Sequence, residues 1–214
     1  MLATMSVKPF LKWVGGKRQL LPEIQCLIPQ RIERYVEPFM GGAAVFFHLA
    51  PEKALLNDIN KELVNCYTVI KTSPNELIKE LKKHVYHIEY YNEIRSLDRT
   101  EGGLLALSKI ARASRFIYLN RTGFNGLYRV NSKGFFNVPM GRYKNPRIVN
   151  EDGILACARC LQSAEITNTG FEETLMGTRT GDFVYLDPPY IPLSETSSFT
   201  SYAGGGFDMD AQIR

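Results

Sequence analysis

The sequence has 214 residues and a formal net charge of +4, with 44% hydrophobic and 22% charged residues. The apolar fraction is too high for a disordered chain, and no apolar run reaches the ~18 residues that a transmembrane helix requires, so no membrane partner is expected. Four cysteines in a chain of this length are too few for a disulfide framework, which favours a reducing, cytoplasmic location.

The first 71 residues have the pattern that opens a doubly wound parallel sheet. The predicted elements, in chain order, are a strand at 35–39, a helix at 43–49, a strand at 53–57 and a helix at 59–71. Gly41 and Gly42 follow the first strand, where a Rossmann-like fold turns from strand to helix. This order predicts an α/β fold that binds its ligands at the carboxyl ends of the strands.

The next stretch, residues 72–149, departs from this alternation and predicts a mostly helical insertion. Ser73, Pro74 and Glu76 together form a helix start with a capping box. Apolar residues then recur at helical spacing and predict one continuous helix face, formed by Leu77, Leu81, Val85, Ile88 and Tyr91. A second helix is expected at about 104–119.

The rest of the chain returns to the sheet after a loop-rich segment. Residues 120–146 are rich in Gly, Asn and Pro and predict a loop or a small hairpin. Strand signals follow at 165–168 and 183–186. We therefore expect a discontinuous catalytic domain, made of residues 1–71 and 150–214, that carries the insertion.

The insertion also concentrates positive charge. From Lys109 to Arg147 there are nine basic residues, seven aromatic residues and no Asp or Glu, so the rest of the chain holds 17 basic residues against 22 acidic ones. Basic side chains neutralise phosphates, and aromatic rings stack on bases. This window predicts a contact with nucleic acid, and a solvated basic face is the alternative.

The strongest chemical signal is the tetrapeptide Asp187-Pro188-Pro189-Tyr190, directly after the last predicted strand. The Asp187 carboxylate and the Pro188 carbonyl can each accept one N–H of an exocyclic amine on a flat base. Pro189 stiffens the turn, and Tyr190 offers a ring on which the base can stack. These residues predict chemistry on an aromatic amine, and a strand-exit turn with a packed tyrosine is the structural alternative.

Two further motifs indicate an adenosyl-type ligand. Asp58 ends the second strand about 20 residues after the first, where an acidic residue can hold ribose hydroxyls. No G-x-G-x-x-G motif is present, which disfavours NAD and FAD. Trp13 and Lys17 can form the wall of a site for an adenosyl or carboxylate-bearing ligand, and a loop that packs Trp13 into the core is the alternative.

In this order, the motifs resemble those of the GATC-modifying, D12-class DNA adenine-N6 methyltransferases. The resemblance rests on LKWVGGKRQLLP, YVEPFMGGAAVFF, NDIN, YLNRTGFNGLYRVNSKGFFNVPMGRYKNP and YLDPPYIPLS. It implies a Rossmann-like methyltransferase sheet, S-adenosylmethionine as methyl donor and adenine N6 in double-stranded DNA as acceptor. A cognate restriction endonuclease is an expected functional partner, and the sequence carries no indication of oligomeric state.

Position by position, the resemblance implies three sets of site residues. The catalytic set is Asp187, Pro188, Pro189 and Tyr190. The cofactor-binding set is Trp13, Lys17, Glu37, Phe39, Gly41, Asp58 and Asp187. The DNA-binding set is Lys12, Arg121, Phe124, Asn125, Leu127, Arg129, Pro139, Arg142 and Lys144.

Particular contacts with DNA follow from the resemblance. Arg129 is expected to read a guanine edge, to which an arginine fork can donate two hydrogen bonds. Phe124 is expected to wedge into the base stack, and Leu127 and Pro139 to make apolar contacts with bases. Lys12 is expected to contact DNA near the target base.

Two features depart from the family pattern. The family's Phe-x-Gly-x-Gly loop ends in Ala43, which is expected to crowd the cofactor slightly. The chain also ends soon after Phe207 and Asp208, which form a helix start. We therefore expect a methyltransferase truncated at its C-terminus, with an incomplete sheet, weak cofactor binding and slow turnover.

Two other functions stay open on the sequence. N4-cytosine methylation uses the same two-acceptor geometry, although Asp rather than Ser at position 187 favours adenine. A catalytically incompetent DNA-binding fragment is the second. Cytosine-C5 methylation is excluded because it needs a Pro-Cys nucleophile, and no cysteine follows a proline. Cys157 and Cys160 lack a partner pair for zinc and lie in a predicted helix, so no metal is expected.

Overall fold

Four parallel strands form the centre of the protein in the computed structural model, which describes residues 7–189. They are β1 (Arg34–Glu37), β2 (Ala54–Asn57), β3 (Ala164–Thr167) and β4 (Asp182–Val184). Their order across the sheet is β3-β2-β1-β4, and each neighbouring pair is parallel. The predicted Rossmann-like α/β fold is confirmed. The predictions for Tyr190 and for a helix start at Phe207 and Asp208 lie outside the described residues.

Strands β1 and β2 are the inner strands of the sheet, each with a neighbour on both sides. Val36 pairs in register with Leu55 of β2 and Val184 of β4, and it is fully buried, as expected for an apolar strand with both faces covered. At the amino end of the same pair, the Arg34 guanidinium donates to both carboxylate oxygens of Asp182, at 2.5 and 3.2 Å. This ion pair fixes the register of β4 on β1.

Eight α-helices accompany the sheet within the described residues. They are α1 (Leu21–Leu27), α2 (Ala44–Leu49), α3 (Lys61–Thr72), α4 (Pro74–Leu81), α5 (Ile88–Ser96), α6 (Lys109–Thr122), α7 (Glu151–Leu161) and α8 (Phe171–Met176). The side chain of Asn60 accepts two backbone N–H groups at the start of α3, while Ser108 and Asn150 each accept one at the starts of α6 and α7. Such caps satisfy donors that the first helical turn leaves unpaired.

One hydrophobic core runs from the sheet into the insertion. Helix α3, which follows β2, packs against α6 of the insertion and against α7. Tyr67 on α3 and Phe116 and Tyr118 on α6 are buried in the same cluster as Phe46 on α2. The proposed division into a catalytic domain and an insertion at 72–149 therefore stays a prediction, with a shared core at the boundary.

The single helix predicted after Ser73 is wrong. The structure has two helices, α4 and α5, and residues 82–87 separate them. Val85 and Ile88 are 53% and 47% exposed, so the apolar face does not continue through the break. Ser73 precedes α4 as predicted, but its side chain makes no capping hydrogen bond, so the capping box is also wrong.

A packed histidine accounts for the break. The His84 ring stacks on Tyr118 with centroids 4.4 Å apart, and its nitrogens bond to the hydroxyls of Tyr90 at 2.8 Å and Ser114 at 2.9 Å. Burial lowers the pKa of His84 to about 4, so the ring is neutral near pH 7. These contacts hold the half-buried His84 in a turn between the helices, against α6.

The remainder of the insertion follows the prediction more closely. The helix expected at 104–119 begins later, as α6, because Gly102 and Gly103 adopt positive φ angles and lead into a short 3-10 turn. The expected small hairpin is confirmed by an antiparallel bridge between Val130 and Phe136. Residues 129–137 are called the hairpin below.

Asn57, the last residue of β2, joins the carboxyl ends of three strands. Its Nδ2 donates to the carbonyl of Pro38, after β1, and to that of Thr169, after β3, each at 3.1 Å. Its Oδ1 accepts from the Thr169 N–H and the Thr167 hydroxyl, each at 2.9 Å. Asn57 is fully buried, so water cannot replace its amide as the hydrogen-bond partner of these groups.

We expect Asn57→Ala to lower the free energy of unfolding by about 2–4 kcal/mol, because it leaves several buried donors and acceptors unpaired. Urea unfolding at neutral pH measures the loss. Asn92→Ala, at an exposed position of α5, is the matched control and should stay within about 0.5 kcal/mol of wild type. Wild-type stability of Asn57→Ala would show that this amide does not hold the strand ends together.

Candidate active site and nucleic-acid interface

Three acidic residues lie at the carboxyl edge of the sheet. Glu37 is the last residue of β1, Asp58 follows β2 and Asp187 comes shortly after β4. The Tyr185 N–H donates to the carbonyl of Val36 at 2.8 Å, so the chain stays paired with β1 as it approaches Asp187. In open α/β sheets this edge is where ligands bind, and it is the placement that the sequence predicts for Asp58 and Asp187.

Lys17 holds the carboxylate of Asp187. The ammonium nitrogen lies 2.6 and 2.7 Å from the two carboxylate oxygens and 2.8 Å from the carbonyl oxygen of Gly15. The side chains of Lys17 and Asp187 are 15% and 25% exposed, so the pair is less screened than an ion pair on the open surface. The sequence predicts the two residues separately, and the structure brings them into contact.

The residues that follow Asp187 form irregular backbone. Pro188 and Pro189 lie in neither helix nor strand, as expected for a stiff turn at a strand exit. Pro188 follows Asp187 directly in the chain, and the joint role of its carbonyl and the Asp187 carboxylate in holding an amine stays a prediction. The stacking role of Tyr190 stays a prediction because this residue is outside the described part of the chain.

Asp58 is bound to the glycine turn after β1. Its Oδ2 accepts from the Gly41 N–H at 3.1 Å, and its Oδ1 accepts from the Asn60 N–H at 2.9 Å. Burial raises the pKa of Asp58 to about 6, and the two hydrogen bonds oppose that shift. These bonds use two of the about four acceptor positions of a carboxylate, and the contact of Asp58 with ribose hydroxyls stays a prediction.

Glu37 lies inside the protein at the same edge. Its side chain accepts a hydrogen bond from the Tyr35 hydroxyl at 2.9 Å, and the residue is 3% exposed. Burial raises the pKa of Glu37 well above its ordinary value, and the charges of Asp187 and Asp58 raise it further. Glu37 therefore favours a neutral carboxyl group, and its contact with a cofactor stays a prediction.

Trp13 covers the glycine turn. Gly41 has a φ of +44°, and a Cβ atom there would lie 2.7 Å from Cδ1 and Nε1 of the Trp13 indole, so only glycine fits. The same indole stacks against Phe116 and Tyr128, with ring centroids 6.3 and 6.1 Å away. Trp13 is half-buried and packs against the core, whereas its contact with a cofactor stays a prediction.

Ala43 and Phe39 lie on either side of the two glycines of the turn. Ala43 is buried and has a φ of 46° and a ψ of 41°, a left-handed conformation that costs a residue with a Cβ about 1–2 kcal/mol. The departure from the family's glycine therefore strains the backbone, whereas the expected crowding of a cofactor stays a prediction. Phe39 is half-buried, with its ring 5.3 Å from that of Phe171 on α8.

Most of the residues predicted to bind DNA are exposed, and all of these except Lys12 belong to the basic window. The exposed ones are Lys12, Phe124, Asn125, Arg129, Pro139, Arg142 and Lys144, and Leu127 is half-buried. The Phe124 N–H donates to the carbonyl of Pro139 at 2.9 Å, which places two predicted base-contacting residues side by side. Asn125 adopts a left-handed conformation with a φ of 53°, so the chain turns sharply after Phe124.

Arg121 is the exception among these residues. It is half-buried, its guanidinium donates to the backbone carbonyl of Phe10, and burial lowers its pKa. One hydrogen bond uses a single N–H of a guanidinium that has five, so the predicted contact of Arg121 with DNA stays a prediction. The pattern of charge could not show that this side chain also contacts the N-terminal segment.

Asn120 is a site residue that the sequence did not reveal. Its Oδ1 accepts from the Lys12 N–H at 2.9 Å, and its Nδ2 donates to the carbonyls of Lys12 and Gly126, each at 2.7 Å. It therefore joins the segment that carries Lys12 and Lys17 to the loop that carries the predicted DNA contacts. Its burial is visible only in the structure, so the sequence offered no signal beyond an asparagine near the end of a predicted helix.

Metal binding and membrane insertion have no support in the described part of the chain. Over residues 7–189, no group of three or more His, Cys, Asp or Glu side chains could hold a metal ion. Cys157 and Cys160 lie on α7 as predicted, and burial raises the pKa of the Cys157 thiol to about 12. Over the same residues, no helix has the length and apolar character needed to cross a bilayer.

The parallel sheet, the acidic residues at its carboxyl edge and the basic, aromatic window define an α/β enzyme that acts on nucleic acid. The model of the D12 class N6 adenine-specific DNA methyltransferase family matches residues 13–214. The chain belongs to this family.

Relatives of known designation support the same assignment. The type II methyltransferase M1.LlaDCHI of Lactococcus lactis subsp. cremoris is 51% identical over 214 residues, covering 98% of this chain and 75% of the relative. The type II methyltransferase M.MjaIII of Methanocaldococcus jannaschii is 42% identical over 228 residues, covering 98% of this chain and 78% of the relative. A DNA adenine methylase of Vibrio cholerae is 40% identical over 210 residues, covering 96% and 73%.

The raised pKa of Asp58 predicts a pH dependence of stability. Because its folded pKa of about 6 lies above the ordinary value of 3.8, ionisation of Asp58 destabilises the folded protein. The loss is absent below the ordinary pKa, grows as the pH rises towards 6 and is complete above it. Asp58→Asn cannot ionise, so its free energy of unfolding relative to wild type should rise by about 1–3 kcal/mol between pH 4 and pH 7.

Urea unfolding of both proteins across this pH range measures the difference. Asp152→Asn, at an exposed position of α7, is the control for removing a carboxylate that does not lie at the edge of the sheet. A constant difference between Asp58→Asn and wild type would contradict the raised pKa.

Proposed function

We propose that this protein methylates adenine N6 in double-stranded DNA within the sequence GATC, with S-adenosylmethionine as methyl donor. Adenine-N6 specificity is a property of the family, whereas the GATC site, the donor and the roles of single residues are part of the proposal. The observation that carries it is the Asp187 carboxylate at the carboxyl edge of the sheet, next to the Pro188 carbonyl and in contact with Lys17.

The residues at the edge suit an adenosyl ligand that carries a carboxylate. Asp58 offers acceptors to ribose hydroxyls, and the Lys17 ammonium offers a cation to the carboxylate. The Trp13 indole offers an apolar wall, and Gly41 lets the backbone come close to a ligand. When bound, S-adenosylmethionine supplies an electrophilic methyl group on a sulfonium.

The target adenine must leave the base stack, because N6 inside a duplex is out of reach of the sheet edge. The Asp187 carboxylate then accepts one N–H of the amine and the Pro188 carbonyl accepts the other. These bonds orient the nitrogen lone pair towards the methyl carbon. The N–C bond forms as the S–C bond breaks, and the surplus proton leaves the nitrogen towards the Asp187 carboxylate. Catalysis is therefore mainly positioning and electrostatics.

Lys17 links the binding of the donor to this step. In the structure it engages both oxygens of Asp187, so the incoming amine displaces at least one of these bonds. A ligand carboxylate near Lys17 competes for the ammonium and makes one Asp187 oxygen available. We therefore expect the base to enter more readily when the donor is present.

Recognition of the site is assigned to the basic window. The exposed Arg129 is proposed to donate to a guanine edge. Phe124 and Pro139, which are hydrogen-bonded to each other, are proposed to contact the bases next to the position that the target adenine leaves. Lys12, whose ammonium lies 4.6 Å from the centre of the Tyr143 ring, is proposed to contact DNA near the target base.

Several parts of the proposal concern the whole protein and not single site residues. The family match answers the N4-cytosine alternative in favour of adenine. We also propose a cytoplasmic location, and a catalytic domain of residues 1–71 and 150–214 around the insertion. The type II methyltransferase designation of two relatives supports a cognate restriction endonuclease as a functional partner.

Methyl transfer tests the proposal. The full chain is incubated with GATC-containing duplex DNA and isotopically labelled S-adenosylmethionine, and the digested nucleosides are separated by mass spectrometry. Label is expected in N6-methyladenine at GATC. Label in cytosine would contradict the proposal, and cofactor binding without transfer in folded protein would favour the catalytically incompetent DNA-binding fragment.

Asp187→Ala should lower the rate of transfer at least about 100-fold, because the amine loses its charged acceptor, and should leave most DNA binding intact. Glu172→Ala, which removes an exposed acid from α8, is the control and should keep the wild-type rate. Wild-type turnover by Asp187→Ala would refute the role of this carboxylate.

A further inference from the structure

We infer that Asp98 and Arg99 position the DNA-reading hairpin by clamping the backbone of Phe136. The inference rests on the proposed function, in which Arg129 of the hairpin reads a base. It adds two positioning residues that lie outside the site residues predicted from the sequence.

Phe136 has both of its backbone groups on an outer edge of the hairpin, as has Val130 on the opposite strand. The Asn137 N–H donates to the Arg129 carbonyl at 3.0 Å, and the Asn131 N–H donates to the Phe135 carbonyl at 2.9 Å. Phe136 lies between these two cross-strand bonds. In an antiparallel pair, the N–H and C=O of such a residue point away from the partner strand. They would be unpaired if nothing covered that edge.

Asp98 and Arg99 cover this edge and satisfy both groups. Asp98 Oδ2 accepts from the Phe136 N–H at 2.7 Å, and Arg99 Nη2 donates to the Phe136 carbonyl at 2.6 Å. The Arg99 guanidinium also lies 5.3 Å from the centre of the Phe135 ring. Two consecutive side chains therefore act as a neighbouring strand would, and they fix the hairpin at two points.

The clamp is anchored on the helices of the insertion. The Asp98 side chain is 6% exposed, and its carboxylate pairs with Arg99 at 2.6 Å and with Arg115 of α6 at 3.1 Å. Arg115 also donates to the carbonyls of Ile94 at 2.8 Å and Arg95 at 2.6 Å, near the end of α5. The hairpin is thereby held relative to α5 and α6.

Asn137 links the anchored Phe136 to Arg129. Asn137, directly after Phe136, donates its N–H to the Arg129 carbonyl at 3.0 Å and accepts from Arg129 Nε at 2.8 Å. A shift of Phe136 therefore moves Arg129 as well. A two-bond contact with a base edge depends on direction, whereas contacts with phosphates tolerate small shifts. The clamp should therefore affect discrimination between sequences more than total affinity for DNA.

The hairpin has a second attachment, which lets the clamp be tested in folded protein. The Phe136 side chain is buried and its ring lies 5.6 Å from that of Tyr128. The Arg99 side chain is 35% exposed, so Arg99→Met removes half of the clamp and keeps the buried pair of Asp98 and Arg115. Asp98→Asn keeps the shape of the side chain and removes its charge.

The experiment measures which sequences the full chain selects. Random-sequence duplexes that the protein retains with S-adenosylhomocysteine are sequenced, and affinity for a non-cognate duplex and the thermal midpoint are measured in parallel. Arg129→Ala identifies the base position that Arg129 reads. Glu101→Gln, an exposed carboxylate close to the clamp, is the matched control and should behave as wild type.

Arg99→Met and Asp98→Asn are expected to lose about tenfold in discrimination at the position that Arg129→Ala relaxes, with affinity for the non-cognate duplex within about twofold of wild type. Faster hydrogen exchange of the Phe136 amide in Asp98→Asn is the accompanying signature.

Three results would overturn the inference. If Arg129→Ala relaxes a position and neither clamp variant does, the clamp is refuted and the proposed reading role of Arg129 stands. If Arg129→Ala relaxes no position, or wild type selects no sequence, the inference and the proposed role of Arg129 both fail. If the clamp variants lose cognate and non-cognate binding equally, along with thermal stability, Asp98 and Arg99 are structural only.

Discussion

The pairing of β4 with β1 is the constraint on which the site depends. Three residue pairs in register and the ion pair between Arg34 and Asp182 fix β4 against β1. Because the strands are parallel, this register brings Asp187 to the edge where Glu37 and Asp58 already lie. Asp187 thereby comes into contact with Lys17, although most of the chain separates them in sequence.

Three carboxyl groups at one edge repel one another, and the protein stabilises each in a different way. Asp187 is paired with the Lys17 ammonium, and Asp58 accepts two backbone N–H groups. Glu37 accepts a hydrogen bond from the Tyr35 hydroxyl and is buried beneath the edge, where its raised pKa favours the neutral form. Asp187 is the member of this trio that pairs with a cation, which agrees with the proposal that its carboxylate receives the exocyclic amine.

Features set by local sequence were predictable, and features set by contacts between distant segments were not. Apolar runs that end at a glycine or an acidic residue predicted the positions of β1, β2, Asp58 and Asp187, because the end of a strand follows from the local sequence pattern. The pairing of Lys17 with Asp187 and the inward turn of Arg121 depend on how the N-terminal segment packs across the fold. The break at His84 was not predictable either, because helical periodicity does not show that a histidine contacts residues of another helix.

The most direct measurement is the structure of the full chain with S-adenosylhomocysteine and a GATC duplex. We expect an adenine outside the helix, with N6 within hydrogen-bonding distance of the Asp187 carboxylate and the Pro188 carbonyl. We also expect that Lys17 has released at least one oxygen of Asp187. An adenine that stays stacked, or an amine held by other residues while both Asp187 oxygens remain on Lys17, would contradict the proposed role of Asp187.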